Sequence, residues 1–338
     1  MKYFIFLGNG FSLDFLHHIG KAKDIPLSNL FAYGDKLHWP NQKSAFLSFR
    51  NTPNLWLLGI RPSNNPERNN QIVESIITCA NTYFLKKPAE RSFGQDDKRN
   101  IYIDAYRELV VYLKYLFVKF DNEVPTKDAE EWPWATFLKA LHKDKNVDEV
   151  CIVTLNYDLW LERVLEALGI PYSIPIISNG ATEKFSIFKP HGSISFLHNA
   201  ISAAEFTIDY QKDYFQGAET DFEVSMDNLD RNTLVIPLIP PAGDSERFGA
   251  QWAHHIRQAA VEKAGTLTTD DKVIICGISY WHVDRREIDE LLIKLKDRME
   301  LAFINPHPPE TFDAVLTSLF KQYAHYTSIS SYLGVRNA

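Results

Sequence analysis

The chain has 338 residues, of which 45% are hydrophobic and 23% are charged, and its formal net charge is −7. This composition is typical of a globular protein, and the acidic balance argues against a broad nucleic-acid-binding surface. No apolar run is long enough to span a membrane, and the three cysteines, which form no C-x-x-C pair, exclude a four-cysteine zinc site and favour a reducing cytoplasm.

The first predicted element is a buried parallel strand over residues 3–7, which are apolar without a break. Gly8 and Gly10 follow, and a helix is expected to open at Ser12. A glycine turn that leads into a helix N-terminus is how doubly wound folds hold a nucleotide pyrophosphate. The third glycine position of a full G-x-G-x-x-G pattern is Leu13, so nucleotide binding and a plain tight turn remain equally open here.

The next segment of the chain has mostly helical periodicity. Residues 55–60 are apolar and fit either a strand or a turn of buried helix. The predicted helices that follow cover residues 71–86, 101–120 and 134–141. We interpret residues 62–146 as a helical insertion or cap within one domain of residues 1–338, and the polar, acidic residues 200–232 as a smaller insertion.

The remaining predicted strands are short apolar runs that end in Gly, Asn, His or Ser turns. They cover residues 149–155, 185–188, 272–277 and 301–304. Helices are expected over residues 159–168, 245–264, 284–297 and 311–323. This alternation predicts an α/β fold with a Rossmann-like parallel sheet flanked by helices, and one ligand crevice at the carboxyl ends of the strands.

Three polar side chains stand at predicted strand ends. Asn156 and Asp158 follow the second strand, where they could line a ligand site or cap the next helix, and the two alternatives are balanced. His191 precedes Gly192 in a strand-end turn. A lone histidine is usually structural, but a neighbouring glycine would let a substrate approach its ring.

Several of these turns together resemble the sirtuin family. The turn G-N-G-F-S at 8–12 resembles the family's glycine turn, T-L-N-Y-D at 154–158 its T-Q-N-x-D motif, and H-G at 191–192 its His-Gly pair. G-I-S at 277–279 resembles the family's G-T-S, and Asn305 its late asparagine. The similarity runs from residue 3 to about residue 306 and leaves out residues 71–143.

The departures from the sirtuin pattern are informative. The four zinc cysteines of protein deacylases are absent, Leu155 replaces the glutamine, and the usual I-P-D-F-R stretch is not recognisable. The chain therefore more closely resembles the sirtuin-like NAD hydrolases of bacterial antiphage defence. That resemblance implies NAD+ as the substrate, no metal, and nicotinamide and ADP-ribose as the products.

The resemblance also implies roles for particular residues. Asn156 would hydrogen-bond the ribose and place the water, His191 would act as the general base, and Asp158 would fix the nicotinamide amide. The residues assigned to NAD+ binding are Gly8, Asn9, Gly10, Ser12, Gly277, Ser279 and Asn305.

Two other functions stay open at this point: a protein deacylase, and a non-catalytic module that senses NAD. An uncontrolled NAD hydrolase would be toxic, so we expect a homo-oligomer or a companion protein such as a HerA-type ATPase or a short Argonaute. The sequence predicts a cytoplasmic protein with no membrane contact and no direct nucleic-acid binding.

Overall fold

The computed structural model describes residues 1–84, 100–125, 129–178, 180, 182–200, 206–210, 217–233, 235–240, 250–282 and 284–334. The chain divides into two compact units. The first unit comprises Met1–Ala22, Val124–Pro190 and Trp252–Ala338, and the second comprises Lys23–Glu123 and His191–Gln251. No helix in the described ranges is both long enough and apolar enough to cross a membrane.

The described strands and helices follow one another along the chain. The strands are β1 (Lys2–Leu7), β2 (Glu149–Thr154), β3 (Tyr172–Ser173), β4 (Phe185–Phe188), β5 (Phe196–His198), β6 (Phe222–Val224), β7 (Lys272–Cys276), β8 (Glu300–Ile304) and β9 (Gln322–Tyr326). The helices are α1 (Asn9–His18), α2 (Pro53–Leu58), α3 (Pro66–Phe84), α4 (Ile101–Glu123), α5 (Pro133–Lys143), α6 (Trp160–Ala167), α7 (Gln251–Gly265), α8 (Arg285–Leu292), α9 (Glu310–Leu319) and α10 (Ile329–Tyr332).

The first unit contains a seven-stranded sheet in the order β3-β4-β2-β1-β7-β8-β9. Every pair of neighbours in it is parallel. Apart from the short edge strand β3, the order is the 3-2-1-4-5-6 arrangement of doubly wound folds. The prediction of an α/β fold with a Rossmann-like parallel sheet is therefore confirmed.

The strand order reverses at β1, which makes its carboxyl end the topological switch point of the sheet. In the register, Leu7 of β1 faces both Thr154 of β2 and Cys276 of β7. The three central strands therefore end at the same level. Because the residues that follow them are Gly8, Leu155 and Gly277, the glycine turns and the 154–158 motif meet at one edge.

Some predicted boundaries are wrong. Helix α1 begins at Asn9 rather than Ser12, and the helix predicted over residues 284–297 ends at Leu292. The helix predicted over residues 311–323 ends at Leu319, because Phe320 is extended and the chain continues into β9. Residues 55–60, left open between strand and helix, contribute to α2, which begins with a proline and stops at Gly59 with a φ of 101°.

The second unit is built around α4, which is buried along nearly its whole length and packs with α2 and α3. Strands β5 and β6 pair antiparallel in this unit. The carboxylate of Glu108 on α4 accepts hydrogen bonds from the backbone N–H groups of Asn54 and Leu55, which satisfies donors at the start of α2. The predicted segment 62–146 supplies α3 and α4 to this unit and α5 to the first.

Candidate functional site

The turns that follow β1 and β7 are joined at the switch point of the sheet. The Gly8 N–H donates to the carbonyl of Cys276 over 2.9 Å, and the Gly10 N–H donates to the carbonyl of Gly277 over 3.0 Å. A Cβ atom on Gly8 would lie 2.6 Å from the Gly277 oxygen, and one on Gly10 would lie 2.5 Å from the Gly277 Cα. Close packing between the two backbones therefore requires glycine at positions 8 and 10, with or without a bound ligand.

A network of polar side chains lies beside this turn, at the carboxyl ends of β1 and β2. The side-chain amide of Asn156 donates to the Gly8 carbonyl over 3.0 Å and to the Ser12 Oγ over 2.9 Å. The Ser12 hydroxyl donates in turn to the Asp158 Oδ2 over 2.7 Å. Three residues from two distant sequence motifs thus form one connected group, which we call the Ser-Asn-Asp network.

The network fixes the orientation of the Asn156 amide. A backbone carbonyl can only accept a hydrogen bond, so the NH2 group of Asn156 must face Gly8. Both of its hydrogens are used by Gly8 and Ser12. The Asn156 Oδ1, which accepts no hydrogen bond from the described part of the chain, is therefore the atom presented to a hydroxyl or a water.

Asp158 is a buried carboxylate whose charge state responds to mild acid. Its side chain is 6% exposed, and burial raises its pKa to about 6 against the opposing effects of the Lys189 ammonium and the Ser12 hydroxyl. The Asp158 Oδ1 also accepts the backbone N–H of Trp160, the first residue of α6, over 3.2 Å. Asp158 therefore accepts one hydrogen bond at the start of α6 and one within the network. The side-chain amide of Asn156 instead donates to Gly8 and Ser12.

A buried ion pair supports the turn that carries Asn156 and Asp158. The Lys189 ammonium donates to the Asp158 backbone carbonyl over 2.5 Å and to the Glu162 carboxylate over 2.7 Å, and both charged side chains are fully buried. Sequence reasoning missed this lysine. The pattern that could have indicated it is a charged residue directly after the apolar strand β4, in the K-P-H-G turn.

The site residues predicted after β7 and β8 lie in two turns that a side-chain hydrogen bond connects. The Asn305 side-chain NH2 donates to the Ile278 carbonyl over 3.2 Å, and its Oδ1 accepts the His307 N–H over 3.0 Å. Gly277 has a φ of 64°, and Ser279 is exposed. The Asn305 amide therefore joins the turn after β7 to the turn after β8.

Two further predicted site residues lie in different units of the chain, Asn9 in the first and His191 in the second. The boundary between the two units falls directly before His191, which belongs to the second unit and is buried. Its carbonyl accepts the Ile239 N–H over 2.9 Å, and Gly192 has a φ of 86°. Asn9 is the first residue of α1 and is exposed. The catalytic role of His191 stays a prediction.

The chain matches no protein-family model and has no significant match among curated proteins. The chemistry of this site must therefore be inferred from its own residues.

Proposed function

We propose that this chain hydrolyses NAD+ at the bond between nicotinamide and ribose, giving nicotinamide and ADP-ribose. The observation that carries the proposal is the Ser-Asn-Asp network at the switch point of a doubly wound parallel sheet. Dinucleotides bind at this place in such sheets. The order of the sirtuin-like motifs along the chain supports NAD+ as the dinucleotide.

The reaction makes limited demands on the protein. The glycosidic bond breaks through a transition state with positive charge on the ribose, and nicotinamide leaves as a neutral molecule without needing a proton. Water then adds to the ribose carbon and releases one proton. The site must therefore hold the ribose, stabilise positive charge and position a water.

The Ser-Asn-Asp network suits those demands. The Asn156 amide is oriented by Gly8 and Ser12 before any substrate arrives, so its Oδ1 can accept a hydrogen bond from a ribose hydroxyl or the attacking water. Above a pH of about 6 the buried Asp158 carries a negative charge, which favours a neighbouring positive centre. His191 is the proposed general base, and this role rests on the His-Gly resemblance.

The same resemblance supports a role in antiphage defence, in which NAD+ depletion stops the infected cell. Such an activity needs control, which we assign to homo-oligomerisation or to a companion protein of the HerA-type ATPase or short Argonaute class. The chemistry proposed here does not depend on which of these regulators operates.

The test is product analysis after the full chain is mixed with NAD+. Wild-type protein should release nicotinamide and ADP-ribose, and the Asn156→Ala and His191→Ala variants should be at least about 100-fold slower. Asn146→Ala and His17→Ala, which change exposed residues of the same types, serve as matched controls and should retain wild-type rates.

Two other results would overturn the hydrolase proposal. If the protein removes an acyl group from a peptide in an NAD+-dependent reaction, and does not hydrolyse NAD+ when the peptide is absent, the chain is a deacylase. Binding of NAD+ without cleavage, both alone and with the product of the neighbouring gene, would identify a sensor module.

A further inference from the structure

The strand β9 forms one edge of the seven-stranded sheet. It pairs with β8 on one side and ends the strand order on the other. The opposite edge strand, β3, has only two residues, whereas β9 has five. In β9, Gln322 and His325 are exposed, and Tyr323, Ala324 and Tyr326 are partly exposed. The outer edge of β9 is therefore in contact with solvent.

The hydrogen bonds to β8 show which backbone groups face this outer edge. The Asn305 N–H donates to the Tyr326 carbonyl over 2.9 Å, so the backbone of Tyr326 faces β8. Because direction alternates along a strand, the backbone of Ala324 also faces β8, and the backbones of Tyr323 and His325 face away from it. Neither of these two backbones bonds to another element of the described chain. Their N–H and carbonyl groups thus lie along the outer edge.

Contacts on both faces of the sheet hold β9 in place. The Tyr323 hydroxyl donates to the Asp313 carboxylate of α9 over 2.6 Å. The Tyr326 ring, on the opposite face, meets the Tyr332 ring of α10 edge to face, with centroids 5.2 Å apart. A strand that is already fixed in the extended conformation loses little conformational entropy when a second strand pairs with it.

The sequence of β9 lacks the features that usually keep a sheet edge from pairing. Natural edge strands are protected by charged side chains, above all lysine, by proline or by bulges. Residues 322–326 read Q-Y-A-H-Y and contain no proline, lysine, arginine or carboxylate. Lys321 precedes them, but its ammonium lies 2.7 Å from the Asp297 carboxylate, and its N–H donates to the Asp297 carbonyl. The lysine nearest to the edge is therefore bonded back to its own chain.

We propose that β9 pairs antiparallel with β9 of a second copy of this chain, in a register centred on Ala324. In this register Tyr323 lies opposite the partner's His325, and every outward N–H of the two residues meets a carbonyl of the other strand. Ala324 lies opposite the partner's Ala324, where the small side chain permits the close approach of a non-hydrogen-bonded pair. Gln322 lies opposite the partner's Tyr326, so no like charges face each other within the paired strands.

The symmetry of this register is the reason for choosing a second copy as the occupant. A two-fold axis through the two Ala324 residues lets one five-residue sequence supply both sides of the pairing. The sheet then continues from one chain into the other. The proposal does not rest on NAD+ hydrolysis, although it provides a surface for the homo-oligomer that the sequence leads us to expect.

The test is the mass of the purified full chain in solution, measured by sedimentation over a range of concentrations without NAD+. Wild-type protein should show a species of twice the 38.9 kDa of one chain, which dissociates on dilution. His325→Pro removes the N–H that faces the partner and leaves every N–H that faces β8. His325→Ala is the matched control, because it removes the same side chain and keeps that N–H. The axis applies each change twice and one hydrogen bond is worth about tenfold, so His325→Pro should dimerise about 100-fold more weakly than His325→Ala.

Charges introduced at Ala324 test the register by a second route. Ala324→Glu and Ala324→Lys each place like charges opposite each other across the axis, so each variant alone should be mainly monomeric. An equal mixture of the two variants should restore the dimer, because opposite charges then face each other. Only a register that brings the two Ala324 positions together gives this rescue.

The outcomes separate this interface from other possibilities. A wild-type chain that stays monomeric at every concentration overturns the proposal, and an edge that takes a strand only from a different protein gives that result. A dimer that both His325 variants weaken equally, or that the mixed Ala324 variants fail to restore, uses another surface. Denaturant unfolding shows whether each variant is folded, and the two His325 variants decide alone if those at Ala324 are not. None of these results bears on NAD+ hydrolysis, which nicotinamide release measures separately.

Discussion

A Cβ atom on Gly277 would lie 2.4 Å from the Cα of Gly10. The turns after β1 and β7 thus meet backbone to backbone, with no room for a side chain on either. This relationship explains why both turns carry glycine, even before a ligand is considered. It also fixes the level of α1, which brings Ser12 within hydrogen-bond distance of Asn156 and Asp158.

Gly277→Ala should destabilise the protein by about 3 kcal/mol or more, because a left-handed backbone strain adds to an overlap with Gly10. Gly20→Ala is the matched control: Gly20 also has a positive φ, of 71°, but a Cβ there would meet nothing within 4 Å. It should cost only about 1 kcal/mol. Denaturant unfolding of the two variants measures the difference. Equal costs would contradict the close packing of the two turns.

Asn156→Asp should abolish the proposed NAD+ hydrolysis as fully as Asn156→Ala, although aspartate has nearly the same shape as asparagine. The substitution replaces the NH2 group that faces the Gly8 carbonyl with an oxygen, so two acceptors would oppose each other. Nicotinamide release from NAD+ measures this effect. An active Asn156→Asp variant would show that the amide donors do not orient this residue.

Ser12→Ala should be less harmful, because Asn156 keeps its bond to Gly8. Removal of one hydroxyl from the network should lower kcat/KM by about tenfold, the value of one hydrogen bond. The same nicotinamide assay applies, and Ser63→Ala, which changes an exposed serine, provides the control. A loss as large as that of Asn156→Ala would mean that Ser12 itself contacts the reacting atoms.

The buried carboxyl of Asp158 should make stability fall as pH rises. Its pKa is about 6 in the fold against 3.8 in the unfolded chain, so the folded chain holds the proton more tightly. This contribution is complete below pH 3.8 and is lost as pH rises through about 6. Relative to Asp158→Asn, wild type should lose about 2 kcal/mol of unfolding free energy between about pH 4.5 and about pH 7.5. Parallel curves for the two proteins would contradict the raised pKa.

The parallel sheet could be predicted because its central strands are short, unbroken apolar runs, each followed by turn residues. The edge strands could not. Strand β3 has only two residues, and β9 reads Q-Y-A-H-Y, which has no buried face of its own and directly follows a helix. Pairing with β8 gives β9 its conformation, and that pairing is not encoded locally.

The residues that belong to the site could be predicted from the sequence, but the hydrogen bonds between them could not. Asn156, Asp158 and Ser12 follow strands and carry polar groups, which local patterns reveal. Their mutual hydrogen bonds depend on the register of β1 against β2, which no local pattern contains. The contact between Lys189 and Glu162, 27 residues apart, likewise arises only when the fold buries both.

Lys189→Met should destabilise the protein by about 3–5 kcal/mol, because it leaves the fully buried Glu162 carboxylate without its counter-charge. The double variant Lys189→Met with Glu162→Met should recover most of that loss, since no unpaired charge remains. The matched control is Lys321→Met, which breaks an ion pair with Asp297 whose two side chains are more than half exposed. That change should cost far less than Lys189→Met, because ion pairs between exposed side chains contribute little to stability. Urea unfolding of all three variants near neutral pH tests the scheme, and a double variant as unstable as Lys189→Met would show that the lysine acts mainly through its bond to the Asp158 carbonyl.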